Sequence, residues 1–219
     1  SQDRWHPPGL VEAIERWGLN QSRAVLTVSR PAARRLGEYH LDIPIVVASN
    51  GVDPDRYPPR SEASQASLRA ELGIDRPCVI GFQGSFRRFH GVDRLRELML
   101  RLGDDPRIHW LLVGDGPELT PLRDATRDRV RASFLGRRPP EEMPAWLNLM
   151  DIAVAPHSPI PGDFYFCPLK ILEYAAAGCA VVASDQGDIP HLLDDGQGGR
   201  IVADDSLSAW FAAVRELID

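Results

Sequence analysis

The chain has 219 residues, 43% of them apolar, and a formal charge of −6. That is enough for one sizeable core, or one core with an appendage, and too acidic overall for a nucleic-acid-binding surface, so any basic site must be local. Cys78, Cys167 and Cys179 are odd in number and widely spaced, which reads as reduced thiols of a cytoplasmic protein without metal-ligand spacing; no apolar run is long enough to span a bilayer and Ser1 opens no signal-peptide pattern, while docking at a membrane surface stays compatible with the composition.

In chain order, apolar runs alternate with amphipathic stretches. A helix is predicted over 11–17, a strand over 24–28, a helix over 31–39 and a strand over 45–48, stopped by the turn Asn50-Gly51. Pro54, Pro58, Pro59 and the polar run 61–67 read as a linker, with a short helix over 67–72. Beyond it the alternation is nearly strict. Strands are predicted over 78–82, 109–113, 133–135, 152–155, 180–183 and 200–202, and helices over 92–102, 118–130, 141–150, 168–177 and 206–218. This is the pattern of an α/β doubly wound parallel sheet. The elements before residue 60 are too few for a core of their own, so the predicted division is 1–60 as a remnant of another domain with its linker, and 61–219 as the main domain. Trp5, Trp17, Trp210 and Phe211 are expected to lack cover, and such patches favour self-association.

Open parallel sheets bind ligands beyond the carboxyl ends of their strands, so the strand-to-helix loops are the candidate sites. After the strand at 78–82, Arg87, Arg88 and His90 lie between Gly84 and Gly91, a basic loop feeding a helix and suited to phosphate, or else a solvated loop. Gly114-Asp115-Gly116 begins like a dinucleotide fingerprint but lacks its third glycine, and a plain turn explains it as well. Gly136 and Arg137 follow the next strand and offer backbone to a flat base.

The run from Asp163 to Gly178 is the most informative. Lys170 is the only lysine among 25 basic side chains, and a lone ammonium amid arginines points to a compact, rotatable charge. Pro168 opens a helix whose first amides, near Phe166, Cys167 and Leu169, suit an anion. Lys170 and Glu173 share a face there, while Leu169, Leu172 and Ala176 are expected to face the sheet. A carboxylate at Glu173 can accept two vicinal hydroxyls; an ordinary Lys–Glu helix pair is the alternative.

The run Pro168-Leu-Lys-Ile-Leu-Glu-Tyr-Ala-Ala-Ala-Gly178, with Gly187-Asp-Ile-Pro190 after it, resembles the donor-site signature of retaining family 4 glycosyltransferases of GT-B fold. Asn50-Gly-Val-Asp53, Gly81-Phe-Gln-Gly-Ser-Phe86, Val113-Gly-Asp-Gly-Pro117, Phe134-Leu-Gly136 and Asp151-Ile-Ala-Val-Ala-Pro156 agree with it in order and spacing. The resemblance implies the donor-binding half of a two-domain enzyme plus the last elements of the acceptor-binding half. It implies that Glu173 holds the ribose, that the Gly84 loop meets the diphosphate, that Gly136 and Arg137 meet the base, and that the backbone from Tyr165 to Leu169 meets sugar and phosphate. It implies retaining transfer without a metal or further cofactor, a sugar, lipid-linked or small-molecule acceptor, a missing N-terminal domain, and a fragment inactive alone. Three positions depart from the family pattern: Ser85 and His90 stand where Arg and Lys are common, and Tyr165 stands where a first acid precedes the second by eight residues. Arg87 or Arg88 with Lys170 would then carry the charge, and His90 would hydrogen-bond phosphate. A non-catalytic nucleotide-sugar-binding or assembly module, a GT-B epimerase and a nicotinamide enzyme are the competing readings.

Overall fold

The computed structural model describes residues 8–159 and 164–219, so Trp5 and the middle of the loop before Pro168 lie outside the described residues. The first elements are α1 (Pro8–Asn20), β1 (Val25–Thr27), α2 (Arg30–Gly37) and β2 (Ile45–Val47). β1 and β2 pair in parallel, with Leu26 opposite Val46 and both side chains exposed. Three residues per strand bury little, and few residues of this segment are buried.

A 3-10 turn over Pro54–Arg56 leads to α3 (Glu62–Glu71), so the polar run expected as linker is helical from Glu62 onward. Its apolar positions Leu68 and Leu72 lie four apart and pack on the core, which explains the helix that polar composition concealed. The main sheet follows: β3 (Cys78–Gly84), α4 (Val92–Arg101), β4 (Ile108–Gly114), α5 (Leu119–Thr126), β5 (Ala132–Gly136), α6 (Met143–Asn148), β6 (Ile152–Ala155), α7 (Leu169–Ala176), β7 (Ala180–Ser184), α8 (Ile189–Leu192), β8 (Arg200–Val202) and α9 (Leu207–Ile218). Six parallel strands lie in the order β5-β4-β3-β6-β7-β8. Numbered from β3 this is 3-2-1-4-5-6, the Rossmann-like order, whose direction reverses between β3 and β6.

The period-two alternation of the strands builds a core on each face. Val79, Leu111, Ala153 and Val181 join side chains of α6 and α7 on one side; Ile80, Leu112, Val154 and Val182 join those of α4 and α9 on the other. Trp210 belongs to the second core and is fully buried, and Phe211 is half-buried under the Arg101 guanidinium, 4.4 Å from its ring centroid. The expected exposure of both is therefore corrected: α9 closes over α4 and the β7–β8 edge of its own sheet. Trp17 is exposed, as expected.

Candidate active site at the switch point

Where the strand order reverses, two adjacent strands send their following loops apart and leave a crevice at their carboxyl ends. A cleft of about 420 Å³ lies there. β3 supplies Gln83 and Gly84, and the loop after it Phe89 and His90; His157 follows β6; Phe164, Phe166, Cys167, Pro168, Leu169, Lys170 and Glu173 come from the entry and first turns of α7. Larger open hollows of about 700 and 740 Å³ lie against α1 and α2, away from the switch point.

Burial on α7 is set by Ile171, Tyr174 and Ala177, which face the sheet together with Lys170, whereas Leu169 is 50% exposed. The expected sheet face of Leu169, Leu172 and Ala176 is thus rotated by about a residue. The reason is the tyrosine: its hydroxyl accepts the Gln83 backbone N–H at 2.7 Å and pins α7 to the end of β3. That rotation carries Lys170 inward rather than across the surface.

Lys170 is buried, and its Nζ has no hydrogen-bond partner among the described residues. It lies 4.6 Å from the centroid of the Phe82 ring. A Cβ on Gly84 would come within 2.9 Å of the ammonium, so the glycine keeps the space it occupies. Burial brings the Lys170 pKa down to about 7, against a smaller upward pull from Glu173. Glu173 forms no ion pair with it. One carboxylate oxygen accepts from Gln83 Nε2 at 2.6 Å and the other from the Tyr57 hydroxyl at 3.4 Å. An ordinary Lys–Glu surface pair is therefore not what this helix presents.

Two imidazoles complete the wall. His90 and His157 approach edge to face with centroids 5.7 Å apart. Burial first, then Lys170, pushes both down, His90 to about 4 and His157 to about 2, so both rings are neutral at pH 7. Ser85 Oγ lies 3.4 Å from His90 Nδ1. Gly91, at φ +71°, lets this loop close against β6: a side chain there would overlap the Pro156 carbonyl. With Gln83 Oε1 and His157 Nδ1, Lys170 Nζ makes three buried polar atoms without partners lining one cleft. Three such atoms gathered at one cleft offer hydrogen-bonding capacity to a polar ligand or to water.

The sequence-predicted residues divide into three groups. Gly84, His90, Phe166, Cys167, Pro168, Leu169, Lys170 and Glu173 converge on the cleft. Pro168 is the N-cap and supplies no side-chain bond; the Ile171 N–H donates to the Pro168 carbonyl at 3.1 Å, while the Leu169 and Lys170 N–H groups have no partner among the described residues. Ser85 touches the cleft only through His90. Arg87 is exposed on the rim, and Arg88 points to solvent in an ion pair with Glu118 at 3.2 Å. Gly136 and Arg137 end β5, two strands from the switch point, outside this cleft. Tyr165 is exposed and lines the α1–α2 hollow, with its ring centroid 4.5 Å from that of Phe166, while its carbonyl accepts from Ser29 Oγ at 2.6 Å. The Gly114–Pro117 turn packs on the backbone of Gly84 and Ser85.

Besides Phe89 and Phe164, four polar residues of the site were not expected from the sequence. His157 follows β6 by two residues and was findable from the switch-point rule alone. Gln83, a polar residue ending an apolar strand, was a visible anomaly. Asn50 Nδ2 donates to the Cys167 carbonyl at 3.2 Å, and Tyr57 reaches Glu173; these depend on how the first sixty residues fold back, which no local pattern encodes. The same segment ties down the α7 entry through Ser29 and donates the Arg30 N–H to Asp188 Oδ2 at 2.6 Å. Among the described residues no three of His, Cys, Asp and Glu are grouped as a metal-ligand set, and no helix is long and apolar enough to cross a membrane.

Comparison with known proteins gives a consistent picture. The family model for glycosyl transferases group 1 matches residues 77–219, and that for glycosyltransferase family 4 matches residues 1–56. The chain is 32% identical over 188 residues to a D-inositol 3-phosphate glycosyltransferase of Corynebacterium aurimucosum, covering 80% of this chain and 43% of that protein. It is 28% identical over 215 residues to a glycogen synthase of Mycobacterium tuberculosis, covering 95% of this chain and 49% of that one. The chain thus spans less than half the length of these relatives. Among solved structures, Anabaena Alr3699/HepE in complex with UDP superposes with a TM-score of 0.80 at 20% identity, covering 99% of this chain and 60% of that one. The C-terminal domain of a glycosyl transferase group 1 family protein (LpcC) from Francisella tularensis superposes with a TM-score of 0.63 at 24% identity, covering 77% and 88%. Both likenesses are of fold.

Proposed function

The chain belongs to the group 1 glycosyltransferases, and we propose that it is the donor-binding part of an enzyme transferring a hexosyl group from a nucleoside diphosphate sugar with retention of configuration. The observation that carries this is the buried, unpartnered ammonium of Lys170 beside the open amino end of α7. A diphosphate placed there meets a cation, free backbone N–H groups and the neutral ring of His90 together. Glu173 takes the ribose hydroxyls, and Gly136 with Arg137 lies toward the base. Arg87, on the rim, strengthens the field, and Ser85 orients His90.

Chemically, the residues hold and neutralise a leaving group. As the glycosidic bond breaks, negative charge grows on the diphosphate, and fixed cations and amide dipoles in a dry cleft stabilise it more than the ground state. The protein's own cations serve in place of a metal. Residues 1–60 form the end of the acceptor-binding half and the linker, and 61–219 the donor domain. A sugar, lipid-linked or small-molecule acceptor then needs the rest of that half, so this polypeptide binds donor but turns over slowly alone. The same reading has the enzyme act in the cytoplasm, docking at the inner membrane face where its acceptor is lipid-linked.

One feature favours a second reading. Tyr165 stands in place of the family's first acid and is not among the residues lining the cleft, as a nucleotide-sugar-binding or assembly module without catalysis would allow. Isothermal titration with UDP, GDP, ADP and dTDP tests the shared core of both. Saturable binding of at least one is expected, and no heat from any of them with folded protein counts against the proposal. Slow hydrolysis of the matching nucleotide sugar then separates enzyme from module.

A further inference from the structure

We propose that Gln83 is a positioning residue for donor recognition, fixing the Glu173 carboxylate so that its remaining lone pairs are presented to the ribose hydroxyls of a nucleoside diphosphate. The inference rests on the donor-site reading above and adds a residue to it.

Gln83 is the penultimate residue of β3, and its backbone is locked to α7 on both sides. Its N–H donates to the Tyr174 hydroxyl at 2.7 Å, and that hydroxyl donates to the Gln83 carbonyl at 3.5 Å. Tyr174 is the neighbour of Glu173, so strand and helix cannot slide without breaking this pair. From that anchor the Gln83 side chain reaches the carboxylate, donating at 2.6 Å to one oxygen, while Tyr57 donates to the other.

The other end of the amide argues that this is not packing. Gln83 Oε1 is buried and meets no donor among the described residues. A structural glutamine is normally satisfied at both ends. Here the orientation answers to the carboxylate alone, since the reversed amide would set two acceptors face to face. An ionised carboxylate offers about four lone-pair positions. Gln83 and Tyr57 take two, one on each oxygen, which leaves one per oxygen. A vicinal diol donates two hydrogen bonds and matches that remainder.

The test is a comparison of UDP with 2′,3′-dideoxy-UDP on the full chain, wild type and Gln83→Leu, by titration calorimetry. The substitution is expected to weaken UDP about tenfold, the size of one charge-assisted hydrogen bond, and to leave the dideoxy analogue within about twofold. Equal loss for both ligands, or loss for neither, overturns the assignment. Should Gln83→Leu fail to fold, the side-chain amide protons of Gln83 in wild-type protein decide by NMR: they are expected to move with UDP and to stay with the dideoxy analogue, and equal movement refutes the proposal. Failure of wild-type protein to bind any nucleoside diphosphate removes the donor-site reading itself and the Gln83 role with it. Binding without discrimination removes only the role.

Discussion

Raising the pH from 7 to 9 should weaken nucleoside diphosphate binding by about 50-fold. Among the described residues Lys170 is the one unpaired cation lining the cleft, and burial holds its pKa near 7, so about half the free protein carries the charge at pH 7 and about one molecule in a hundred at pH 9. A bound diphosphate raises that pKa well above 9, so binding captures a proton throughout the interval, and the change is worth about 2 kcal/mol. The other charged or titratable groups at the site are Glu173, Cys167, Tyr57, His90 and His157, with Arg87 on the rim. Both imidazoles are already neutral across this range, and the phosphates, with a last pKa of about 6, are already ionised. In unligated protein the sign reverses: the unfolded chain binds the proton more tightly, so stability rises with pH from about 7 to 10.5 and is lost as pH falls back to 7. Calorimetry in buffers of different ionisation enthalpy reads proton uptake directly, about 0.5 at pH 7 and close to 1 at pH 8.5. Lys170→Met should bind weakly with no slope over this range. A flat profile in wild type, or the same slope in Lys170→Met, would refute the reasoning.

Two further outcomes follow from the geometry. Glu173→Ala should weaken UDP by about 10- to 100-fold, the loss of two hydrogen bonds to a carboxylate, and inorganic pyrophosphate by clearly less in a parallel titration, through the charge of Lys170 alone. The same substitution removes the one upward pull on Lys170, so the pH midpoint of binding should move below that of wild type. Trp210→Ala should cost about 3–5 kcal/mol in urea unfolding, because the indole is fully enclosed by the α4, α9 and sheet side chains; a loss under about 1 kcal/mol would mean that α9 is not docked.

Most of the scaffold was legible because strand and helix periods differ and few segments are ambiguous. All eight strands lie within a residue or two of their expected places, since each is a β-branched or apolar run between turn signals. That Lys170 and Glu173 line one cleft was legible from spacing and from the odd lysine. Which way α7 is rotated was not, because that depends on a hydrogen bond between Tyr174 and Gln83 ninety-one positions away. For the same reason Trp210 was misread: its apolar stripe was visible, but its cover comes from α4. Arg87 and Arg88 show the limit of charge counting, since the turn over Arg88–His90 sends Arg88 to Glu118 and brings Phe89 and His90, not an arginine, to the cleft.

The central claim is that an anionic donor docks on Lys170 at the amino end of α7. A crystal structure of the chain with bound nucleoside diphosphate tests it most directly. A phosphate oxygen about 3 Å from Lys170 Nζ, with the ribose hydroxyls on Glu173, is the predicted result. A diphosphate bound elsewhere, with the ammonium still resting on Phe82 and touching no phosphate, would contradict it.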